Sequence, residues 1–322
     1  NTILRDAKMT SKQQEPVFII GVDRSGTTLL NMMLDAHPEL LITYESGIIH
    51  GLLSEDLLFK PLTTTDSKQH LITKLLSLRG VKKWQEVFTL DDFNFEEINN
   101  ASDAIRQLYG CYLKRTKKCM WGDKDPIYTA LLEYTHSLFP NAKFIHIIRD
   151  GRDVASSISK QWWGPNTFPK ALDYWQHSVT TLSRMLSMLP NSQKIEIRYE
   201  DLVENTEETL HDIVDFLELP YDDIMLGSYS SNAEDKLGDL VSTIHAQLKK
   251  RPSKEHLYKW KHKLTRADLA ITFELAHDTL RRYGYESKSV TSIMKIPRKI
   301  YYVFLESYLW HKNKRRLRKN NE

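Results

Sequence analysis

Two cysteines, Cys111 and Cys119, are all that the 322 residues contain. That is too few for a disulfide framework, and a reducing compartment is the simpler expectation. No apolar run reaches the length of a membrane span, and no stretch resembles a signal peptide. The chain opens at Asn1 rather than Met, which leaves room for an upstream segment removed from it. The expected location is therefore cytoplasmic, with membrane association depending on the tail described below. Internal repeats and low-complexity linkers are lacking too, which argues against repeat architectures.

The most informative absence lies in "PVFIIGVDRSGTTLLNMML", Pro16 to Leu34. An apolar run ends at Gly21, a helix-like run begins near Thr28, and Gly21 and Gly26 carry the first half of the Walker A spacing. Where that pattern demands lysine, the chain has Thr27, followed by Thr28. Backbone N–H groups and the helix dipole already make an anion site in such a loop. The lysine and its magnesium serve a triphosphate, so their loss points to a terminal group with less charge. Arg24, Thr27 and Thr28 can then supply the remaining hydrogen bonds.

What is present is ordinary for a globular protein: 41% hydrophobic and 27% charged residues. The net charge of +3 is unevenly spread. From Thr291 to Glu322 nine Lys/Arg face two acids, a net of +7, which leaves −4 for the rest. The chain is a mildly acidic body with a basic tail. In that tail, Tyr301, Tyr302, Phe304, Tyr308 and Trp310 precede the basic cluster. A helix there either packs on the domain with a solvated charged end, the favoured reading, or makes peripheral contact with a membrane. No nucleic-acid-binding fold surrounds the basic run, so no nucleic acid is expected as a partner.

Along the chain, residues 1–15 form a polar lead-in, 16–290 the main domain and 291–322 the basic, aromatic tail. Strands are expected at Val17–Val22, Ala142–Asp150 and Lys194–Leu202, and helices at Thr28–Ala36, 169–189 and through "TRADLAITFELAHDTLRRYGYE", which stops at Gly284. Asn205 is placed to cap the helix that follows it, and 47–118 reads as mostly helical. Strands alternating with helices predict an α/β, P-loop-type three-layer fold with a central parallel sheet flanked by helices.

"FIHIIRDGRDVASSI" places Arg149 at a strand end and Ser157 eight residues on. An arginine fork and a hydroxyl so spaced can hold a second phosphate; pairing of Arg149 with Asp150 or Asp153, beside a capping serine, is the plainer account. Together, "DRSGTT" and Arg149-x(7)-Ser157 resemble the two cofactor motifs of the sulfotransferases that use 3′-phosphoadenosine 5′-phosphosulfate (PAPS). The likeness extends to that family's bacterial and tyrosylprotein-like branch in "DAHPELLITYES", "WGDKDP", "LFPNAKFIHIIRDGRD", "IRYEDLV", "YKWKHKLT" and "RRYGYE", from about Pro16 to Glu286.

The resemblance implies PAPS as co-substrate, no metal, and a hydroxyl-bearing acceptor. It makes Glu45 the catalytic base, with Arg24 and Lys124 on the sulfuryl group and bridging oxygen. Ser25, Gly26, Thr27 and Thr28 bind the 5′-phosphosulfate; Arg149 and Ser157 bind the 3′-phosphate. Tyr199 matches an adenine-side tyrosine, Lys259 a late cofactor lysine, and Ser242 a transition-state contact. A salt bridge to Asp123 or Asp125 is the plainer account of Lys124. The likeness thins on the acceptor side. The cysteine before the base in the animal tyrosylprotein enzymes has no counterpart here, and Gln161 replaces a further arginine. Residues 47–118 and 221–258 are expected to shape the acceptor pocket. A P-loop kinase, or a catalytically silent nucleotide-binding relative, stands as the alternative.

Overall fold

The computed structural model describes residues 15–161, 163–227 and 253–319. Its strands are β1 (Val17–Ile20), β2 (Leu40–Tyr44), β3 (Met120–Lys124), β4 (Lys143–Ile148) and β5 (Lys194–Arg198). They form one sheet in the order β2-β3-β1-β4-β5, every neighbouring pair parallel. Parallel neighbours need crossovers, and helices supply them. After β1 comes α1 (Thr27–Asp35); after β2, α2 (Ile48–Leu53), α3 (Thr65–Ser77) and α4 (Ala101–Thr116); after β3, α5 (Tyr128–Leu138). β4 leads to α6 (Gly151–Ile158) and α7 (Phe168–Ser187), and β5 to α8 (Tyr199–Glu204) and α9 (Thr206–Leu217). Last come α10 (Trp260–Lys263), α11 (Arg266–Arg282) and α12 (Lys295–Lys319).

Alternation along β1 builds the layers. Phe18 and Ile20 join Trp121, Phe144 and Leu108 in one core cluster, whereas Val17 and Ile19 join Leu30, Ile145 and Ile213 in the other. Phe18 stacks on Phe144 with ring centroids 5.7 Å apart and meets the edge of Tyr128 at 5.0 Å. Each such side chain, fully buried, contributes roughly 1.5–3 kcal/mol. A third cluster, around Trp175 on α7, packs α6 and α7 against Ala276 and Leu280 of α11.

The three-layer parallel architecture is the expected one, with differences in detail. β2 and β3 were not among the expected strands. Strand β5 ends at Arg198, so Tyr199 opens a helix instead of lying in the strand. Asn205 sits at the N-cap of α9, but its side chain makes no capping hydrogen bond. Helix α11 is capped instead by Thr265, whose hydroxyl accepts from the Asp268 N–H, and the chain turns at Gly284 with φ 75°. The tail helix α12 packs on α11: Arg298 Nε lies 3.0 Å and the Tyr302 hydroxyl 2.8 Å from Asp268 Oδ1.

Candidate active site

With β1 central and its neighbours β3 and β4 on opposite sides, the chain reverses its winding direction there. In open α/β sheets a crevice opens at such a switch, beyond the carboxyl ends of the strands. Glu45 follows β2, Lys124 ends β3, Arg149 follows β4 and Tyr199 follows β5. The loop Gly21–Gly26 follows β1, and α1 begins at Thr27. All these positions therefore share one edge of the sheet.

The loop itself is tightly specified. Gly26 is the N-cap of α1 in the left-handed region, with φ 98°. A Cβ at this position would lie 2.2 Å from the Tyr199 ring. No side chain caps the helix, so its first N–H groups remain available to a ligand. Ser25 is fully buried, and its Oγ has no hydrogen-bond partner among the described residues. Thr129, at the start of α5, donates to the Gly21 carbonyl at 3.1 Å and pins the turn.

The two separated motifs meet. Arg24, itself in the left-handed region with φ 69°, donates from Nε to Ser157 Oγ at 3.2 Å. Arg149 donates from one terminal nitrogen to the Arg24 carbonyl at 3.3 Å, and its guanidinium lies 4.4 Å over the Tyr199 ring. Its salt bridge is to Asp153 at 3.7 Å, not to Asp150, which pairs with Arg152. Burial, and then the charge of Arg149, lower the pKa of Arg24. Lys259 is lowered by burial and by Lys263 and Arg149. Its placement comes from Asp153, whose Oδ1 accepts from the Trp260 N–H at 2.8 Å. Cations brought together in a partly buried space favour an anion between them.

Across the crevice, the Glu45 N–H donates to the Lys124 carbonyl at 2.7 Å, continuing the β2–β3 ladder by one residue. The Lys124 ammonium, 1% exposed, lies 2.7 Å from Glu45 Oε1 and 3.8 Å over the Tyr44 ring. Its ion pair is thus with the glutamate, not with either flanking aspartate. Glu45 keeps 39% of its side chain exposed and has φ 47°. Ser242 lies outside the described residues.

Other residues here had no role in the site assigned from sequence. Asp123, 1% exposed, accepts from Thr43 Oγ1 at 2.8 Å, Ser46 Oγ at 2.5 Å and the Tyr128 hydroxyl at 2.5 Å. It ties together the strand ends that carry Glu45 and Lys124; burial raises its pKa against these donors. Asp125 is pushed up to about 7 by burial and by Asp123. Asp23 accepts from the Tyr174 hydroxyl at 3.0 Å, and burial raises its pKa. The adjacency of Asp123 and Asp125 to Lys124 was the signal available in "WGDKDP"; for Tyr174 there was none.

Known proteins similar to this chain are sulfotransferases. Protein-tyrosine sulfotransferase A of Caenorhabditis elegans is 28% identical over 276 residues, 84% of this chain and 67% of that protein. Protein-tyrosine sulfotransferase 2 of Gallus gallus is 30% identical over 221 residues, 67% of this chain but 54% of its own length. The chain thus spans about two thirds of the first relative and about half of the second. The sulfotransferase domain from the curacin biosynthetic pathway shares the fold, with a TM-score of 0.57 at 22% identity, over 85% of this chain and 99% of that one. The sulfotransferase family model matches residues 16–223, and the chain belongs to that family.

Proposed function

We propose that this protein transfers a sulfuryl group from PAPS to a hydroxyl-bearing acceptor without a metal, releasing 3′,5′-ADP. The observation that carries the reading is the bond from Arg24 Nε to Ser157 Oγ, which joins two motifs 133 residues apart. The residues fit the co-substrate. Ser25 Oγ is a buried hydroxyl lacking a partner among the described residues, and the uncapped start of α1 offers N–H groups to the phosphosulfate. Arg149, whose guanidinium lies over the Tyr199 ring, and Lys259, whose pKa is lowered by burial and by Lys263 and Arg149, suit a second phosphate. The ring of Tyr199 against Gly26 gives an aromatic surface on the nucleoside side.

PAPS supplies an activated sulfuryl group and a good leaving phosphate. Glu45 takes the proton from the acceptor hydroxyl, its carboxylate being the exposed base at this edge. Lys124, held by Glu45 and the Tyr44 ring, and Arg24, held by Ser157, stabilise the negative charge that builds on the leaving oxygen. Both cations are fixed before the reaction, so little reorganisation is needed as charge develops. The relatives' names identify tyrosine in proteins as their acceptor, so a tyrosine peptide is the first acceptor to try.

Calorimetry without metal, comparing 3′,5′-ADP with 5′-AMP, tests the reading. A preference of at least about tenfold for 3′,5′-ADP, abolished by Arg149→Ala, is expected from one charge-assisted phosphate contact. Equal binding of the two nucleotides, or magnesium-dependent ATP turnover, would overturn it in favour of a different nucleotide chemistry.

A further inference from the structure

Helix α12 has two unlike faces. Its inner face carries Arg298 and Tyr302 onto Asp268, and Glu306 to Lys170 at 2.5 Å. Its outer face carries Ile296, Ile300, Val303, Phe304 and Tyr308, spaced by three or four residues and so aligned along the helix. Ile296, Val303 and Phe304 are 66%, 68% and 71% exposed. From Ile296 to Tyr308 this stripe runs about 18 Å. Directly after it, Lys312 to Lys319 holds six Lys/Arg and no acid.

We propose that the outer face of α12 docks on a membrane surface bearing anionic lipid head groups. Among the described residues no helix is long and apolar enough to cross a membrane, so the helix would lie in the interface. An aliphatic and aromatic stripe sinks into the boundary between head groups and acyl chains, and a basic run adds attraction to anionic lipid. Either element alone binds weakly; two signals together give stable anchoring. A second copy of this chain is a poorer occupant. Parallel pairing sets the two basic runs side by side, and antiparallel pairing lays each over an apolar stripe. An anionic bilayer takes both elements at once. A nucleic acid would leave the apolar stripe uncovered. None of this depends on the chemistry proposed for the sheet edge.

The test is flotation with vesicles of phosphatidylcholine alone or mixed with phosphatidylserine, at low and high salt. It compares the wild type, Ile300→Ser/Phe304→Ser and Arg315→Glu/Arg316→Glu. Sedimentation velocity without lipid gives the oligomeric state, and unchanged thermal unfolding shows that the variants fold. The wild type is expected to bind only the anionic vesicles, less at high salt. Each basic residue near such a surface contributes roughly a fivefold factor in partition, so the charge-reversal variant falls by at least about 25-fold. The apolar variant falls comparably at both salt concentrations. Equal partition to both vesicle types, no partition at low salt, or unchanged partition in the variants would overturn the proposal. So would a lipid-free dimer that the apolar variant dissociates.

Discussion

Lys124 Nζ lies 2.7 Å from Glu45 Oε1, pairing a 1% exposed ammonium with a carboxylate that keeps 39% of its surface open to solvent. The partial exposure leaves the carboxylate accessible to an incoming hydroxyl, while the pairing fixes its position. Glu45→Gln retains the shape and an oxygen to accept from Lys124, and removes the base. The expected loss in kcat is roughly 10²- to 10⁴-fold, with 3′,5′-ADP affinity changed only a few-fold. Steady-state kinetics with PAPS and a tyrosine peptide, alongside calorimetry, separates the two. Full turnover in the variant would remove Glu45 from the reaction.

The contact between Gly26 and the Tyr199 ring makes a second prediction. Gly26→Ala puts a side chain into the left-handed region, which costs roughly 1–2 kcal/mol, and drives a Cβ to 2.2 Å from the ring. The ring cannot stay where it is. Thermal unfolding should fall by several degrees, and 3′,5′-ADP should bind at least about tenfold more weakly. Because Tyr199 is itself buried in the core, the clash is read in a Tyr199→Ala background, where the cavity is common to both chains and Gly26→Ala should cost less stability than it does in the wild type. An equal cost in both backgrounds would mean that the backbone alone sets the penalty.

How much of this was legible in the sequence follows from where each signal resides. β1 and β4 are buried apolar runs, so composition reveals them, and the glycine spacing between β1 and α1 marks the loop. β3, "MWGDK", reads as a loop because Gly122, Asp123 and Lys124 are polar or small. They are buried in a strand because that strand feeds the crevice, where function overrides propensity. β2, "LLITY", is five residues long, too short for periodicity to separate strand from helix. Resemblance to a family supplied Glu45 and Lys124, but not the ion pair between them, which depends on the Tyr44–Lys124 register across the sheet. Tyr174 reaches Asp23 from 151 residues away, and no local pattern encodes such a contact.

Asp125 should make stability depend on pH. Burial first, then the charge of Asp123, pushes its pKa up from 3.8 to about 7. Between those values the folded chain holds a proton that the unfolded chain has released. Stability therefore falls as pH rises through that window and levels off above it. The full contribution is at most about 4 kcal/mol. Asp125→Asn should flatten the slope and gain stability at pH 8 relative to wild type. A residual slope of the same sign is expected, because burial also raises Asp23, Asp153 and Glu200. Urea unfolding at pH 5 and pH 8 measures the difference. Parallel curves for wild type and variant would show that Asp125 ionises freely in the fold.

Asp150 is the fixed point from which the late part of the chain reaches the crevice. Its carboxylate accepts from Arg152 at 2.9 and 2.7 Å and from Trp260 Nε1 at 2.9 Å, while its N–H donates to Glu200 Oε1 at 3.1 Å. The Arg152 guanidinium in turn lies 3.6 Å over the Trp260 ring and donates to the Glu286 carbonyl at 2.7 Å. Tyr285 closes the network on Glu200 at 2.8 Å. Asp150→Ala leaves Arg152, only 4% exposed, without its carboxylate, and breaking a buried pair in this way costs roughly 3–5 kcal/mol. Because Trp260 then loses an anchor, Lys259 beside it loses its position, and affinity for 3′,5′-ADP should fall as well. Lys259→Ala should lower affinity and leave stability unchanged. If Asp150 acts on the ligand through Lys259, the double variant binds no more weakly than Lys259→Ala alone; additive losses would show instead that Asp150 reaches the site by another route.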